Sequence, residues 1–320
     1  MSLSEYRENA ALLETAVSRR AFIRNVRFHR NADGSFALAG NKRLWNEAMK
    51  PFRKTKLWEQ TPGFDDRDPL QEEPYLVFVP APEGSRVKTT ILVSHGGGFQ
   101  SRTGCEGANV AWHFHRAGYP TAILSYRLDP YSRLDCLADI QRAVRVLRAK
   151  REEFGIDGKL VVMGFSAGGM LSGNCATLGQ PERPEVNDEI ERCSSLPDAC
   201  VVGYGAMSGV SFPGEFMADR SQPDLFGRDP KERYLLAPEK HISPDTCPFF
   251  IWQTLSDDGR HGLTLAKALE DAGVPYELHI LEGGVHGLAL ADGENDLDAD
   301  IPHIAHWSEL CLEWLKLHDL

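Results

Sequence analysis

From residue 74 onward, short uninterrupted apolar runs alternate with longer segments that are apolar on one side only. The runs fall at 75–79, 89–94, 121–126, 160–164, 199–204, 248–253 and 276–281. They have the length of strands, and several lack polar alternation, as parallel strands covered on both faces do. Between them, Leu137, Ile140, Val144 and Leu147 line one side of a helix expected over 134–148. Leu265, Ala266, Leu269 and Ala272 do the same over 262–272, with Gly273 placed to cap the helix and Pro275 just beyond it. Ile304, Trp307, Cys311 and Trp314 mark a last helix. Such alternation predicts an α/β fold: a mostly parallel, doubly wound sheet with helices on both faces.

The first 73 residues read differently. Leu3, Tyr6, Ala10, Leu13 and Val17 form one apolar stripe on a helix, which Ser2 and Glu5 are placed to open with a capping box. Residues 25–73 then mix aromatics (Phe28, Phe36, Trp45, Phe52, Trp58, Phe64) with charges and show few periodic runs. We read 1–73 as an N-terminal helical extension packed on a catalytic domain at 74–320. Within that domain, 179–197 and 208–247 are rich in Pro, Gly and charge. Both are expected to leave the carboxyl ends of strands and form a rim or lid where α/β sheets bind ligands. Trp45, Trp58, Phe212, Phe216, Arg220 and Tyr234 are available either to a sugar-binding surface or to packing.

A chain of 320 residues buries roughly 75% of its unfolded surface, enough for a large core without metals or disulfides. The net charge of −11 argues against a nucleic-acid partner or an anionic membrane surface. The 7 cysteines show no framework and no CxxC unit, so they read as reduced, mostly buried thiols. No basic-then-apolar leader opens the chain and no apolar stretch reaches the ~18 residues of a membrane span, so the expected location is the cytoplasm. A homo-oligomer is compatible with the sequence. Nothing in it calls for a cofactor or a metal.

The chemistry begins at Gly164-Phe165-Ser166-Ala167-Gly168-Gly169, between a strand and a small-residue helix. Gly-x-Ser-x-Gly at such a junction is a nucleophile elbow, a turn tight enough to require glycine on both sides. A serine nucleophile needs a base, an acid to orient that base and donors for the oxyanion. Asp257 and Asp258 follow the strand at 248–253, and His286 follows the next strand, in the order Ser, Asp, His. Ser166 is the expected nucleophile and His286 the expected base. Asp257, the first carboxylate past its strand, is the expected acid, with Asp258 its rival. The loop His95-Gly96-Gly97-Gly98-Phe99 leaves the strand before it. Its glycines let backbone N–H groups approach a small charged centre, and Gly97, Gly98 and Ala167 are the expected oxyanion donors. His95 is expected to brace that loop. The loop lacks the spacings of a P-loop or a dinucleotide fingerprint.

Together, HGGGF at 95–99, GFSAGG at 164–169, TLSDD at 254–258, AGVPYELH at 272–279 and GVHGL at 284–288 resemble the esterase/lipase branch of the α/β-hydrolases. That branch includes hormone-sensitive-lipase-like acetyl esterases and bacterial feruloyl and acetyl-xylan esterases. The resemblance covers about 74–320 and implies the α/β-hydrolase fold, with Ser166, Asp257 and His286 as triad. Phe165 stands where the hormone-sensitive-lipase-like group usually has Asp, and the acidic motif is not that group's DPLxDE. Both features bring the chain nearer to the carbohydrate-esterase-like members. The implied activity is a cofactor-independent serine carboxylesterase acting on short acyl esters, acetyl foremost, of a small molecule or oligosaccharide. A prolyl-oligopeptidase-like peptidase shares the core and triad order, but the chain has no propeller-like N-terminal domain. A non-catalytic binding module on the same fold is the third reading, and such modules usually lose a triad member.

Overall fold

The computed structural model describes residues 3–18, 31–33, 37–211 and 225–320. Its strands are β1 (Thr55–Lys56), β2 (Tyr75–Val79), β3 (Thr90–Ser94), β4 (Thr121–Ser125), β5 (Leu160–Phe165), β6 (Ala199–Gly203), β7 (Phe249–Thr254) and β8 (Tyr276–Leu281). They form one sheet in the order β1-β2-β4-β3-β5-β6-β7-β8. β2 runs antiparallel to both β1 and β4, and every other neighbouring pair is parallel. The register sets Ser94 beside Gly164, Phe165 beside Gly203, and Thr254 beside Leu281. The carboxyl ends of β3, β5, β6, β7 and β8 therefore come to one edge.

The apolar runs are explained by cover on both faces. Leu76, Phe78, Leu92, Leu124, Val162, Val202 and Ile251 face one core with residues of the helices Arg133–Ala149, Ala167–Leu178 and Arg260–Ala272. Their alternate neighbours, Val77, Val79, Ile91, Val93, Ile123, Met163, Phe165 and Trp252, face a second core with Trp45, Phe114, Trp307 and Trp314. Only β8, at the edge, is half-buried throughout. The helix Arg133–Ala149 opens with a capping box between Ser132 and Asp135, and its buried Asp139 pairs with Arg127 beyond β4 at 2.7 Å.

The N-terminal region supplies both cores. Tyr6, on the helix Leu3–Ser18, packs edge-on against Phe78 and Phe154. Asn9 on the same helix donates to the Phe78 carbonyl and accepts from the Arg53 N–H. The helix Leu38–Met49 buries Asn41, Lys42, Trp45 and Met49. Ser2 of the expected capping box, Phe28 and Phe36 lie outside the described residues.

Three expectations need correction. The region 25–73, read from its sequence as having few periodic runs, holds the strand β1 and the helix Leu38–Met49, and the last helix is two, Pro302–Ala305 and Trp307–Leu317. The stretch 179–197 is not part of the rim. The 12-residue helix Ala167–Leu178 carries the chain ~18 Å back across the sheet, to the amino ends of the strands. There Asp188 and Glu191 pair with Arg142, and Arg148 takes the Leu196 carbonyl. Asp198 closes the stretch by accepting from the N–H of Leu160, the first residue of β5. The segment beginning at Ser208 does leave the carboxyl end of β6. Ser208 and Ser211 both donate to Glu239, and Arg228 reaches the Pro130 carbonyl. Phe212, Phe216 and Arg220 of that segment lie outside the described residues. Among the described residues, no helix is long and apolar enough to cross a membrane. The cysteines are free thiols, five of them buried.

Candidate active site

The elbow is built by close backbone approach. A Cβ on Gly164 would lie 2.0 Å from the Gly168 carbonyl oxygen, and one on Gly168 would lie 2.1 Å from the Ser94 carbonyl oxygen. Neither position accepts a side chain. Between them, Ser166 takes φ 54° and ψ −122°, a conformation that costs a non-glycine residue ~1–3 kcal/mol. Its N–H donates to the Gly203 carbonyl at 3.0 Å. Phe165 points the other way, into the core against Tyr204, Trp252 and Trp307. Aromatic packing beneath and hydrogen bonding beside the turn hold the strained serine in place.

The three expected triad side chains meet. Ser166 Oγ lies 2.7 Å from His286 Nε2, and His286 Nδ1 lies 2.6 Å from Asp257 Oδ2. An ionised carboxylate only accepts, so Nδ1 carries the proton toward Asp257 and Nε2 accepts from the serine hydroxyl. Desolvation pulls the imidazole pKa down, but the Asp257 hydrogen bond and charge, with the charge of Glu106, outweigh it and raise it above the ordinary histidine value. The imidazole stays 43% exposed while the Asp257 side chain is 10% exposed. The imidazole is thus the more open of the two groups, with the Asp257 carboxylate largely covered behind it. Asp257 ends the short turn Leu255–Asp257 after β7, and Asp258 adopts φ 50° and turns away. Asp258 pairs with Arg260 at 2.6 Å, and that guanidinium holds its carboxyl below the usual range.

The loop after β3 lies against Ser166. A Cβ on Gly96 would sit 2.9 Å from Ser166 Cβ and 2.2 Å from Glu106 Oε2. Gly97, Gly98 and Phe99 follow with φ of 115°, 61° and 59°. The Gly96 N–H is already used, donating to Thr103 Oγ1 and Glu106 Oε2. Among the described residues, the N–H groups of Gly97, Gly98 and Ala167 have no acceptor. His95 is fully buried beneath the loop, with Nδ1 2.7 Å from the Gly96 carbonyl and its ring stacked on Tyr126. Burial lowers its pKa to about 3, so it is neutral and its Nδ1–H donates.

Other candidates are placed elsewhere. Trp45 is fully buried, 4.9 Å from the His95 ring, and offers no sugar-binding surface. Trp58 lies against the Arg127 and Arg142 guanidinium groups, each 5.7 Å from its ring centroid, while Tyr234 is exposed. Sequence reasoning passed over Glu106 and Tyr204. Glu106 lies in a five-residue π-helical turn, Cys105–Asn109, and is 2% exposed. A carboxylate among small residues, seven positions past the glycine loop that ends at Phe99, is the one signal in the sequence that points to it.

The BD-FAE family model matches residues 77–259, a span that holds the glycine loop, the elbow and Asp257. The chain belongs to the BD-FAE family. By sequence the chain is similar to endo-1,4-beta-xylanase B of Butyrivibrio fibrisolvens, 32% identical over 214 residues, 64% of this chain and 33% of the relative. The acetylxylan esterase of Xylanibacter ruminicola is 22% identical over 233 residues, 71% of this chain and 46% of that protein. The chain thus spans a third to a half of the curated relatives it matches. Among solved structures, an acetyl ester-xyloside bifunctional hydrolase from Caldicellulosiruptor lactoaceticus superposes with a TM-score of 0.74 at 31% identity. That match covers 83% of this chain and 96% of the other. Esterases of the α/β-hydrolase fold recur among the structural neighbours, and the fold here is theirs.

Proposed function

We propose that this BD-FAE member is a serine carboxylesterase that removes short acyl groups, acetyl foremost, from carbohydrate alcohols. The observation that carries the proposal is the Ser166–His286–Asp257 relay, with contacts of 2.7 and 2.6 Å at the carboxyl edge of the sheet. Ser166 Oγ attacks the ester carbonyl carbon as its proton passes to His286 Nε2. The oxyanion so formed accepts from the N–H groups of Gly97, Gly98 and Ala167, and losing one such donor costs ~2.7–4 kcal/mol of transition-state stabilisation. Collapse expels the alcohol, which takes its proton from the imidazolium. Water then attacks the acyl-enzyme with His286 again as base, releasing the acid and restoring Ser166. Asp257 keeps the proton on Nδ1 throughout and stabilises the imidazolium.

Support for a large alcohol comes from the mouth. The imidazole is open to solvent, and Leu255 and Val285, next to the two triad loops, are 61% and 47% exposed. Support for a carbohydrate comes from the xylan-directed names of the relatives. The test compares p-nitrophenyl acetate with butanoate and octanoate esters, then acetylated with feruloylated xylo-oligosaccharides. Acetyl substrates are expected to be fastest, and Ser166→Ala to cut kcat by about 10⁶-fold, the scale for a lost triad nucleophile. Faster turnover of octanoate would remove the short-acyl assignment, and full activity in Ser166→Ala would remove the nucleophile.

A further inference from the structure

Glu106 is a buried carboxylate that accepts from three donors. Its Oε2 accepts from the Gly96 N–H at 2.9 Å and from the Thr103 hydroxyl, and its Oε1 accepts from the Tyr204 hydroxyl at 2.8 Å. Among the described residues, no Lys or Arg pairs with it. Burying a carboxylate without a counter-charge is expensive, and hydrophobic packing would stabilise such a position at lower cost. The hydrogen bonds lead in two directions. Toward the glycine loop, Glu106 Oε2 and Ser166 Cβ lie within 3 Å of one point, the place a Gly96 Cβ would occupy. Toward the histidine loop, the Tyr204 hydroxyl that donates to Glu106 accepts from the Ala289 N–H at 2.8 Å. The Trp307 indole N–H takes the Ala289 carbonyl at 3.0 Å, and the Tyr204 ring meets the His286 ring edge-on at 5.1 Å.

We propose that Glu106 is a positioning residue that clasps the oxyanion loop to the histidine loop through the Tyr204 hydroxyl, fixing donors and base relative to each other. It presupposes the acyl-transfer roles given above for Ser166 and His286. The bridge joins backbone groups at Gly96 and Ala289, far apart in the chain, at a site where a misplacement of 1 Å costs ~10²-fold in rate. It also sets a second negative charge behind the imidazole. Two anions, Asp257 and Glu106, raise the His286 pKa. Tyr204, Tyr126 and Cys105 also feel the Glu106 charge, and Asp296 lies 3.7 Å from the Cys105 thiol, outside the bridge's hydrogen bonds to Gly96 and Tyr204. Burial pushes the two tyrosines and the cysteine well above their ordinary values, so each keeps its proton and adds no competing charge. The protonated Tyr204 can therefore donate to Glu106 while accepting from Ala289.

The test uses Glu106→Gln and Tyr204→Phe in the full chain. For each, kcat and KM are measured on p-nitrophenyl acetate, and the His286 imidazole is titrated by NMR. In Glu106→Gln, kcat is expected to fall ~10²-fold with KM little changed, and the imidazole midpoint to move to lower pH. Tyr204→Phe keeps the charge and cuts the bridge, so kcat should fall while the midpoint moves less. If Glu106→Gln lowers only the melting temperature, leaving kcat and the midpoint in place, Glu106 is merely a brace and the proposal fails. If that variant does not fold, wild-type kcat in Tyr204→Phe overturns the clasp, and a reduced kcat at constant KM upholds it. The imidazole titration needs no turnover. Should the wild type hydrolyse no ester, an unmoved midpoint in Glu106→Gln still refutes the clasp separately from the esterase proposal.

Discussion

At the residue scale, two adjacent aspartates with the same chemistry have different fates. Asp257 reaches His286 Nδ1, while Asp258, turned by a positive φ, is taken by Arg260. Asp257→Asn is expected to cut kcat by about 10⁴-fold, the effect of losing the correct tautomer, and Asp258→Asn to leave it near the wild-type value. The pH profile follows with its sign. In the proposed mechanism His286 works unprotonated, so kcat/KM is expected to rise as it loses its proton, and its raised pKa places that rise above about 6.5, the ordinary histidine value. Neutralising Asp257 removes the largest raising influence, so the rise moves to lower pH. Initial rates of both variants between pH 5 and 9 on the acetate ester check this; a wild-type profile flat through that range contradicts it. That Ser166, Asp257 and His286 come together was legible in the sequence because each lies in the turn or loop that follows a strand. Glu106 and Tyr204 were not, because their partners are mainly backbone groups and each other, 98 positions apart. No motif encodes a hydrogen bond to a distant N–H.

At the element scale, the apolar runs marked the long strands because both faces of the sheet are covered. The helix Leu38–Met49 shows no apolar stripe in the sequence because Asn41 and Lys42 share its buried face with Trp45 and Met49. Asn41 is held by both backbone groups of Arg102, and Lys42 by Asp68 and the Asp129 carbonyl. A buried stripe with satisfied polar groups does not read as amphipathic. β1, with two residues, is too short for any periodicity. Composition identified 179–197 as irregular but could not say at which edge of the sheet it lies, since that depends on the direction of the preceding helix. Trp45 fills the space beneath His95 and donates to Tyr75 Oη at 3.1 Å. Trp45→Ala is expected to cost ~3–5 kcal/mol, read by urea denaturation. Because Trp45 packs with Ile91 and Val93 in one core, unfolding should remain a single transition with a lower midpoint. An early separate transition that leaves the rest unchanged would show the N-terminal segment to be an independent unit.

At the scale of the molecule, the candidate site belongs to no single element. The loops after β3, β5, β7 and β8 each bring one component to the carboxyl edge, and the strand register sets them at one level. Parallel pairing makes this possible, because all four strands then end on the same side. Beneath that edge Phe165, the residue before Ser166, packs edge-on against Trp307, in the core that Trp45 and Met49 of the N-terminal region also fill. The central claim is that Ser166 carries the acyl group. Rapid mixing with p-nitrophenyl acetate, acid quench and intact-mass measurement with peptide mapping tests it most directly. An added acetyl group on the peptide containing Ser166, absent in His286→Ala, is the result expected. An acetyl group on another residue, or turnover with none trapped and no burst of nitrophenol, would contradict it.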